Sequence, residues 1–455
     1  MRCSNAVDCQ RFLRGSLLVL LLQLVVACAQ KPVGQLELMP PPDVYGDGLF
    51  NPLPKSNPFL DIPYDGILYA TDRQPAGPDD EELFYRNERG QVLRVGYAEI
   101  QMGEGDLTWE QARQVSLLKA RTAEFPVKIG KVTEWGIVGE TIPYWVDAGL
   151  PEEAPLPPDA VDQFAQAIND QLANSDSKDI YLYTHGYLVT FVNPLLVSAE
   201  LWHFLGYRGA FIAYAWPSTP HRLAYIKDSD TAVGYARNLR LLLEVLAEKT
   251  NAEEIHIIGY SNGTRLVVQA LEQLALINQH RTEEEIQETL RIGNVILLGS
   301  DIDRAAFGNS LADGLLKVCR HLSVYVSAED KALGISRFLT NKRRLGELWT
   351  GDGNEIHPQA RQALENLRGQ MSFINVTEAE GATDGNGHHY FRQSPWASSD
   401  ILMTLYYGLE PEQRGLVRQT DLPVYTFPPD YISRLWGNIQ RLNPDWAEGD
   451  QAPSE

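Results

Sequence analysis

Five residues carry the strongest chemical signal in the chain: Gly259-Tyr260-Ser261-Asn262-Gly263. A serine between two glycines at this spacing is the pattern of a nucleophile on a sharp strand-to-helix turn. The pattern is short, and its context gives it weight. It follows an apolar run, Ile255-His256-Ile257-Ile258, and opens a helical pattern through Val267, Ala270, Leu271, Leu274 and Ile277. Gly259 and Gly263 remove side chains where strand and helix come closest, and the turn lifts the Ser261 hydroxyl out of the sheet. A helix N-terminus beneath the serine supplies N–H groups and a positive dipole end for a developing oxyanion. The alternative is an ordinary Gly-rich turn in which Ser261 caps the helix.

A serine hydroxyl near neutral pH needs an imidazole to take its proton and a carboxylate to orient that imidazole. Short apolar runs recur at Ile180–Thr184, Ala210–Trp216, Ile255–Gly259, Val295–Ser300, Leu322–Ser327 and Met371–Val376. Several are separated by amphipathic helical patterns. Such alternation predicts a mostly parallel sheet with helices on both faces, and catalytic groups at the carboxyl ends of its strands.

The second strand after the serine leads into Ala328-Glu329-Asp330, which makes Asp330 the expected acid. Asp301 and Asp303, one strand earlier, are the runners-up, with capping of the following helix as their structural reading. The third strand precedes a Gly-rich stretch, Gly381 to Gly387, and then His388-His389. His388, directly after Gly387, is the expected base, and His389 is the alternative. For the oxyanion, the backbone N–H groups of Asn262 and of Tyr187 are expected to pair. Tyr187 lies in Thr184-His185-Gly186-Tyr187, a loop in which His185 plays a structural part. The sequence offers no His-x-x-x-His and no Cys-x-x-Cys, so neither metal nor cofactor is expected.

From about Tyr64 to Tyr407 the chain resembles a bacterial α/β-hydrolase family of unknown function. The matching landmarks are Tyr69-Ala70-Thr71-Asp72-Arg73, the His185 loop, Trp216-Pro217-Ser218 and the serine turn. Asp301-Ile302-Asp303, Tyr325-Val326-Ser327 with Asp330-Lys331-Ala332-Leu333, and His388 with Tyr390 complete the series. The resemblance implies an α/β-hydrolase fold and hydrolysis of a carboxylic ester or related acyl bond in a small-molecule substrate. Asn262 departs from the family, where methionine is frequent.

The ends of the chain speak to location. Arg2, Arg11 and Arg14 precede an apolar run, Leu17 to Ala27, too short to span a bilayer. Val25-Val26-Ala27-Cys28 resembles the lipobox of bacterial lipoproteins, so residues 1–28 are expected to be a leader with Cys28 as the lipidated residue. Cleavage without lipidation is the alternative. The expectation is an exported protein, lipid-anchored in the cell envelope and facing the periplasm. Residues 29–63 are Pro-rich and expected as an extended tether, 64–410 as the hydrolase domain and 411–455 as a C-terminal extension. The stretch Phe191–Gly206 reads either as the wall of an acyl pocket or as a core helix.

The chain has 455 residues, 44% hydrophobic, with a formal charge of −21. The net charge argues against a nucleic-acid partner and against adhesion to anionic lipid by overall charge alone. A non-catalytic envelope lipoprotein using the same fold for binding is the alternative class of function, and a peptidase or acyltransferase would share the serine chemistry. Oligomeric state leaves no trace in the sequence.

Overall fold

A computed structural model describes residues 34–442 except 49, 63, 65, 105–106, 123, 141–158, 348–361, 363 and 420. The expected leader and its Cys28 lie outside the described residues. The described residues from Leu36 onward form one compact unit.

Short β1 (Gln35–Glu37) is followed by a long antiparallel arrangement, β2 (Gly66–Pro75), β3 (Tyr85–Met102) and β4 (Pro126–Glu140). Between β3 and β4 lies α1 (Trp109–Ser116). Its start is set by a capping box in which Thr108 and Gln111 satisfy each other's backbone N–H.

After α2 (Ala160–Asn174) the alternating pattern begins: β5 (Ile180–Thr184), α3 (Val192–Phe204) and β6 (Ala210–Ala215). Then come α4 (Tyr225–Gly234), α5 (Ala236–Lys249), β7 (Ile255–Tyr260), α6 (Gly263–Ile277), α7 (Glu283–Leu290) and β8 (Ile292–Leu298). The chain continues through α8 (Arg304–Ala312), β9 (His321–Val326), α9 (Lys331–Thr340), β10 (Met371–Asn375), α10 (Tyr390–Gln393) and α11 (Pro395–Tyr407). It closes with β11 (Val417–Arg418), β12 (Val424–Thr426) and α12 (Tyr431–Leu442). The sheet runs β1-β4-β3-β2-β6-β5-β7-β8-β9-β10-β12-β11, and every pairing from β2 through β12 by way of β6 is parallel.

The chain leaves β5 toward β6 on one side, then crosses back to β7 on the other. Right-handed crossovers in opposite directions put their helices on opposite faces of the sheet. The loops after β5 and β7 therefore diverge and leave a crevice at the carboxyl edge, which is where open parallel sheets bind ligands. The strands β5, β6 and β7 are buried at every position, as expected for a sheet covered on both faces.

Two expectations change. The Pro-rich segment is not extended from Leu36 onward: Leu38, Met39, Val44, Tyr45 and Leu53 are buried in the main core. Its apolar side chains had a place to go, and burying them outweighs the solvation of an extended chain. The Met39 N–H also binds Glu200, which itself pairs with Arg392 at 2.7 Å. Likewise, residues 411–442 are part of the fold: β12 extends the sheet, and Arg414 pairs with buried Asp400 at 2.6 Å. The Phe191–Gly206 stretch is a core helix, since α3 is buried at all but one of its positions. Cys319 is buried, which pushes its thiol up to about 12 and leaves it unreactive.

Candidate active site

The serine turn is held in a strained shape. Ser261 has φ of +51°, a left-handed conformation that a side-chain-bearing residue adopts at a cost of about 1–3 kcal/mol. Three hydrogen bonds oppose that cost. The Ser261 N–H donates to Leu298 O at 2.8 Å, and Ser261 O accepts from the Thr264 N–H at 3.1 Å and the Thr264 hydroxyl at 2.6 Å. Gly263 is required for space, because a Cβ there would lie 2.2 Å from the carbonyl oxygen of His185. Serine turn and His185 loop thus press together backbone to backbone.

His388 lies across from the serine. Its Nε2 is 2.8 Å from Ser261 Oγ, and its Nδ1 is 2.6 Å from Asp330 Oδ2. Asp330 is the N-cap of α9: its Oδ1 accepts from the Leu333 N–H at 3.0 Å, leaving Oδ2 for the imidazole. All three residues are buried. Space for the ring comes from Gly299, at φ +52°, where a Cβ would sit 2.8 Å from His388 Cε1. The Gly299 N–H donates to the Tyr390 hydroxyl at 2.5 Å, tying the end of β8 to the residue two places beyond His388. The Asn386 side chain accepts from the His388 N–H at 3.1 Å.

The remaining candidates sit elsewhere. Exposed His389 turns away from Ser261, with Nδ1 2.8 Å from the Tyr260 hydroxyl. Asp303 caps α8, accepting from the Ala305 and Ala306 N–H groups. Asp301 is buried and saturated: it accepts from the Tyr225 and Ser336 hydroxyls and meets Arg265 at 3.2 Å and Arg344 at 3.3 Å.

The loop after β5 passes directly against the serine, since a Cβ on Gly186 would approach Ser261 Cβ to 2.9 Å. Tyr187 follows in that loop, and Asn262 immediately precedes the first residue of α6. The loop is fixed from below. The Trp216 indole donates to His185 O at 2.7 Å, and its rings stack on the His185 imidazole at 5.0 Å. Burial, assisted by the Arg73 charge, lowers His185 to about 3, so the ring is neutral. Buried Arg73 and Ser218 both donate to Val189 O, at 3.1 and 2.9 Å. These contacts give a physical role to Arg73, Trp216 and Ser218, landmarks that the sequence left without one. Gly299 and Thr264 carried no signal of their own, because their value lies in contacts between distant strands and loops.

A cavity of about 620 Å³ lies at the amino ends of β5, β7, β8 and β9, lined by Asp179, Glu254, His256, Arg320 and His321. It is at the opposite edge of the sheet from Ser261.

Comparisons with known proteins bear on the family. A solved structure of a candidate cell surface hydrolase from Lactobacillus plantarum WCFS1 aligns with 53% of this chain and 96% of its own, at 13% identity and a TM-score of 0.27. That score is too low to bear on the chemistry. No curated protein sequence matches the chain. A family model described as alpha/beta hydrolase of unknown function (DUF900) matches residues 160–404, more than half of the 455. On that match, over the stretch holding Ser261, Asp330 and His388, the chain belongs to this family of α/β-hydrolases.

Proposed function

We propose that the protein is a serine hydrolase that cleaves a carboxylic ester or related acyl bond. The observation that carries this reading is the continuous hydrogen-bonded relay from Ser261 Oγ through His388 to Asp330. Ser261 Oγ attacks the acyl carbon while His388 Nε2 takes its proton. Asp330 holds Nδ1–H and stabilises the imidazolium. The N–H groups of Asn262 and Tyr187 receive the negative charge that develops on the carbonyl oxygen. Collapse of the tetrahedral intermediate passes the proton from His388 to the leaving oxygen and yields an acyl-serine. Water, deprotonated by His388, then releases the carboxylic acid and restores the hydroxyl.

The strained Ser261 backbone supports the same reading. A turn that only capped a helix would have no use for a left-handed serine pressed against a neighbouring loop. Turnover of aryl esters of graded acyl length, measured beside Ser261→Ala, tests it. Saturable hydrolysis lost in the variant is expected. A well-folded protein with no Ser261-dependent turnover on any ester, thioester or amide would leave the binding reading.

We also propose that the chain is exported and anchored through an acyl group on Cys28, which the basic, apolar and lipobox segments of residues 1–28 support. Metabolic incorporation of labelled palmitate, lost in Cys28→Ser, is the expected result.

A further inference from the structure

The chain as a whole is acidic, yet residues 331–346 contain Lys331, Arg337, Lys342, Arg343 and Arg344 and no carboxylate. This stretch includes α9, whose N-cap is Asp330. Arg344 is turned inward onto Asp301, and Arg337 pairs with Glu347 at 2.9 Å; Lys331, Lys342 and Arg343 are exposed. Within the same helix two large apolar side chains face water, Ile335 at 63% and Phe338 at 86% exposure. Leu333 and Ser336 are buried in the same helix, so the exposed pair is not needed for its packing.

The helix α4 and the turn before it repeat the pattern. Ser336 and Tyr225 touch at 2.5 Å over Asp301, so α9 and α4 meet at that point. Flanking Tyr225 in sequence are Leu223, 87% exposed, and Ile226, 66% exposed, with Lys227 beside them. The Tyr225 ring in turn packs at 5.5 Å on Tyr187 of the loop against the serine, where Leu188 is also exposed. Exposed large apolar groups interleaved with lysine and arginine are what an interfacial helix presents to headgroups and acyl chains. Single exposed apolar side chains need no explanation, but four large ones, Leu223, Ile226, Ile335 and Phe338, on two segments that meet through Tyr225 and Ser336 do.

We propose that α9, together with the α4 turn, is a docking surface for an anionic phospholipid bilayer. Phe338, Ile335, Leu223 and Ile226 enter the acyl boundary while Lys331, Lys342 and Arg343 engage anionic headgroups. The net negative charge of the rest of the molecule is repelled by such a surface, so the basic face fixes the orientation of approach. A second copy of the chain fits the face less well, because a two-fold contact would set Lys342 and Arg343 near their own equivalents. Docked this way, the crevice beside Tyr187 opens toward the bilayer. The substrate class is then an ester held in the membrane; this last step alone rests on the acyl hydrolysis proposed above.

Residues 29–455, which retain the whole compact unit, with Ser261→Ala to prevent turnover, are floated with vesicles. One set is phosphatidylcholine alone and the other contains about 30 mol% phosphatidylglycerol. Flotation is expected with the anionic vesicles and much less with the neutral ones. Ile335→Ser with Phe338→Ser is expected to lower partitioning at least tenfold, with an unchanged thermal melt. Lys342→Glu with Arg343→Glu is expected to lower it about fivefold or more for each charge and to erase the lipid preference. The proposal is overturned if the parent does not float, if it floats equally with both vesicle types, or if either double variant floats like the parent. It is also overturned if sedimentation shows a dimer that the same variants dissociate. Phosphonate labelling of Ser261 in solution separates the two readings: labelling without flotation defeats the docking surface alone, and flotation without labelling defeats the hydrolysis alone.

Discussion

Two adjacent strands of this sheet, β8 and β9, each end in a loop that carries a buried aspartate, and the two carboxylates have opposite surroundings. Asp301, after β8, spends both oxygens on hydroxyls and guanidiniums from α4, α6, α9 and Arg344. Asp330, after β9, gives one oxygen to the first turn of α9 and the other to His388. The difference teaches that position after a strand nominates an acid, while the partners decide its work. A carboxylate saturated by two arginines has no oxygen left to orient an imidazole. One that caps a helix with a single oxygen does.

The comparison can be broken experimentally, beginning with the largest expected effect. Ser261→Ala and His388→Ala should each lower kcat on an ester substrate by on the order of 10⁵–10⁶-fold, with little change in melting temperature. Asp330→Asn should lower kcat by about 10³–10⁴-fold with KM within about threefold, because the ring loses its orientation and its counter-charge. Asp301→Asn should do the reverse. It leaves Arg265 and Arg344 without their shared carboxylate and should cost about 3–5 kcal/mol of stability, read by denaturant titration. Activity per folded molecule should stay within about tenfold of the parent. If Asp301→Asn instead abolished turnover in folded protein while Asp330→Asn spared it, the two assignments would be exchanged. The smallest effect belongs to His389→Ala. It removes the contact with the Tyr260 hydroxyl and a ring contact with His388 at 5.9 Å. The hydrogen bonds of His388 to Ser261 and Asp330 stay in place, and kcat/KM should change by about twofold at most.

Much of this arrangement was legible in the residues. Apolar runs without alternation announced a covered parallel sheet, and the serine turn stood where a strand passed into a helix. Fold-level order then selected Asp330 and His388 over their neighbours. Two kinds of feature were not legible. The supports of the site, Gly299 under His388 and Arg73 and Ser218 under Val189, act between separate elements 29 to 116 residues apart, and no local pattern encodes such contacts. The Pro-rich start and the last described helix looked like appendages because proline and polar residues dominate them. Their few apolar side chains, Met39, Tyr45, Tyr431 and Leu435 among them, are buried. Composition reports an average, while burial is decided residue by residue.

The most direct measurement is reaction of the protein with a fluorophosphonate, followed by peptide mapping of the adduct. A single modification on residue 261 is predicted, formed at an unchanged rate in His389→Ala and abolished in His388→Ala. An adduct elsewhere, or one on the same serine that forms as fast without the imidazole at 388, would contradict the relay.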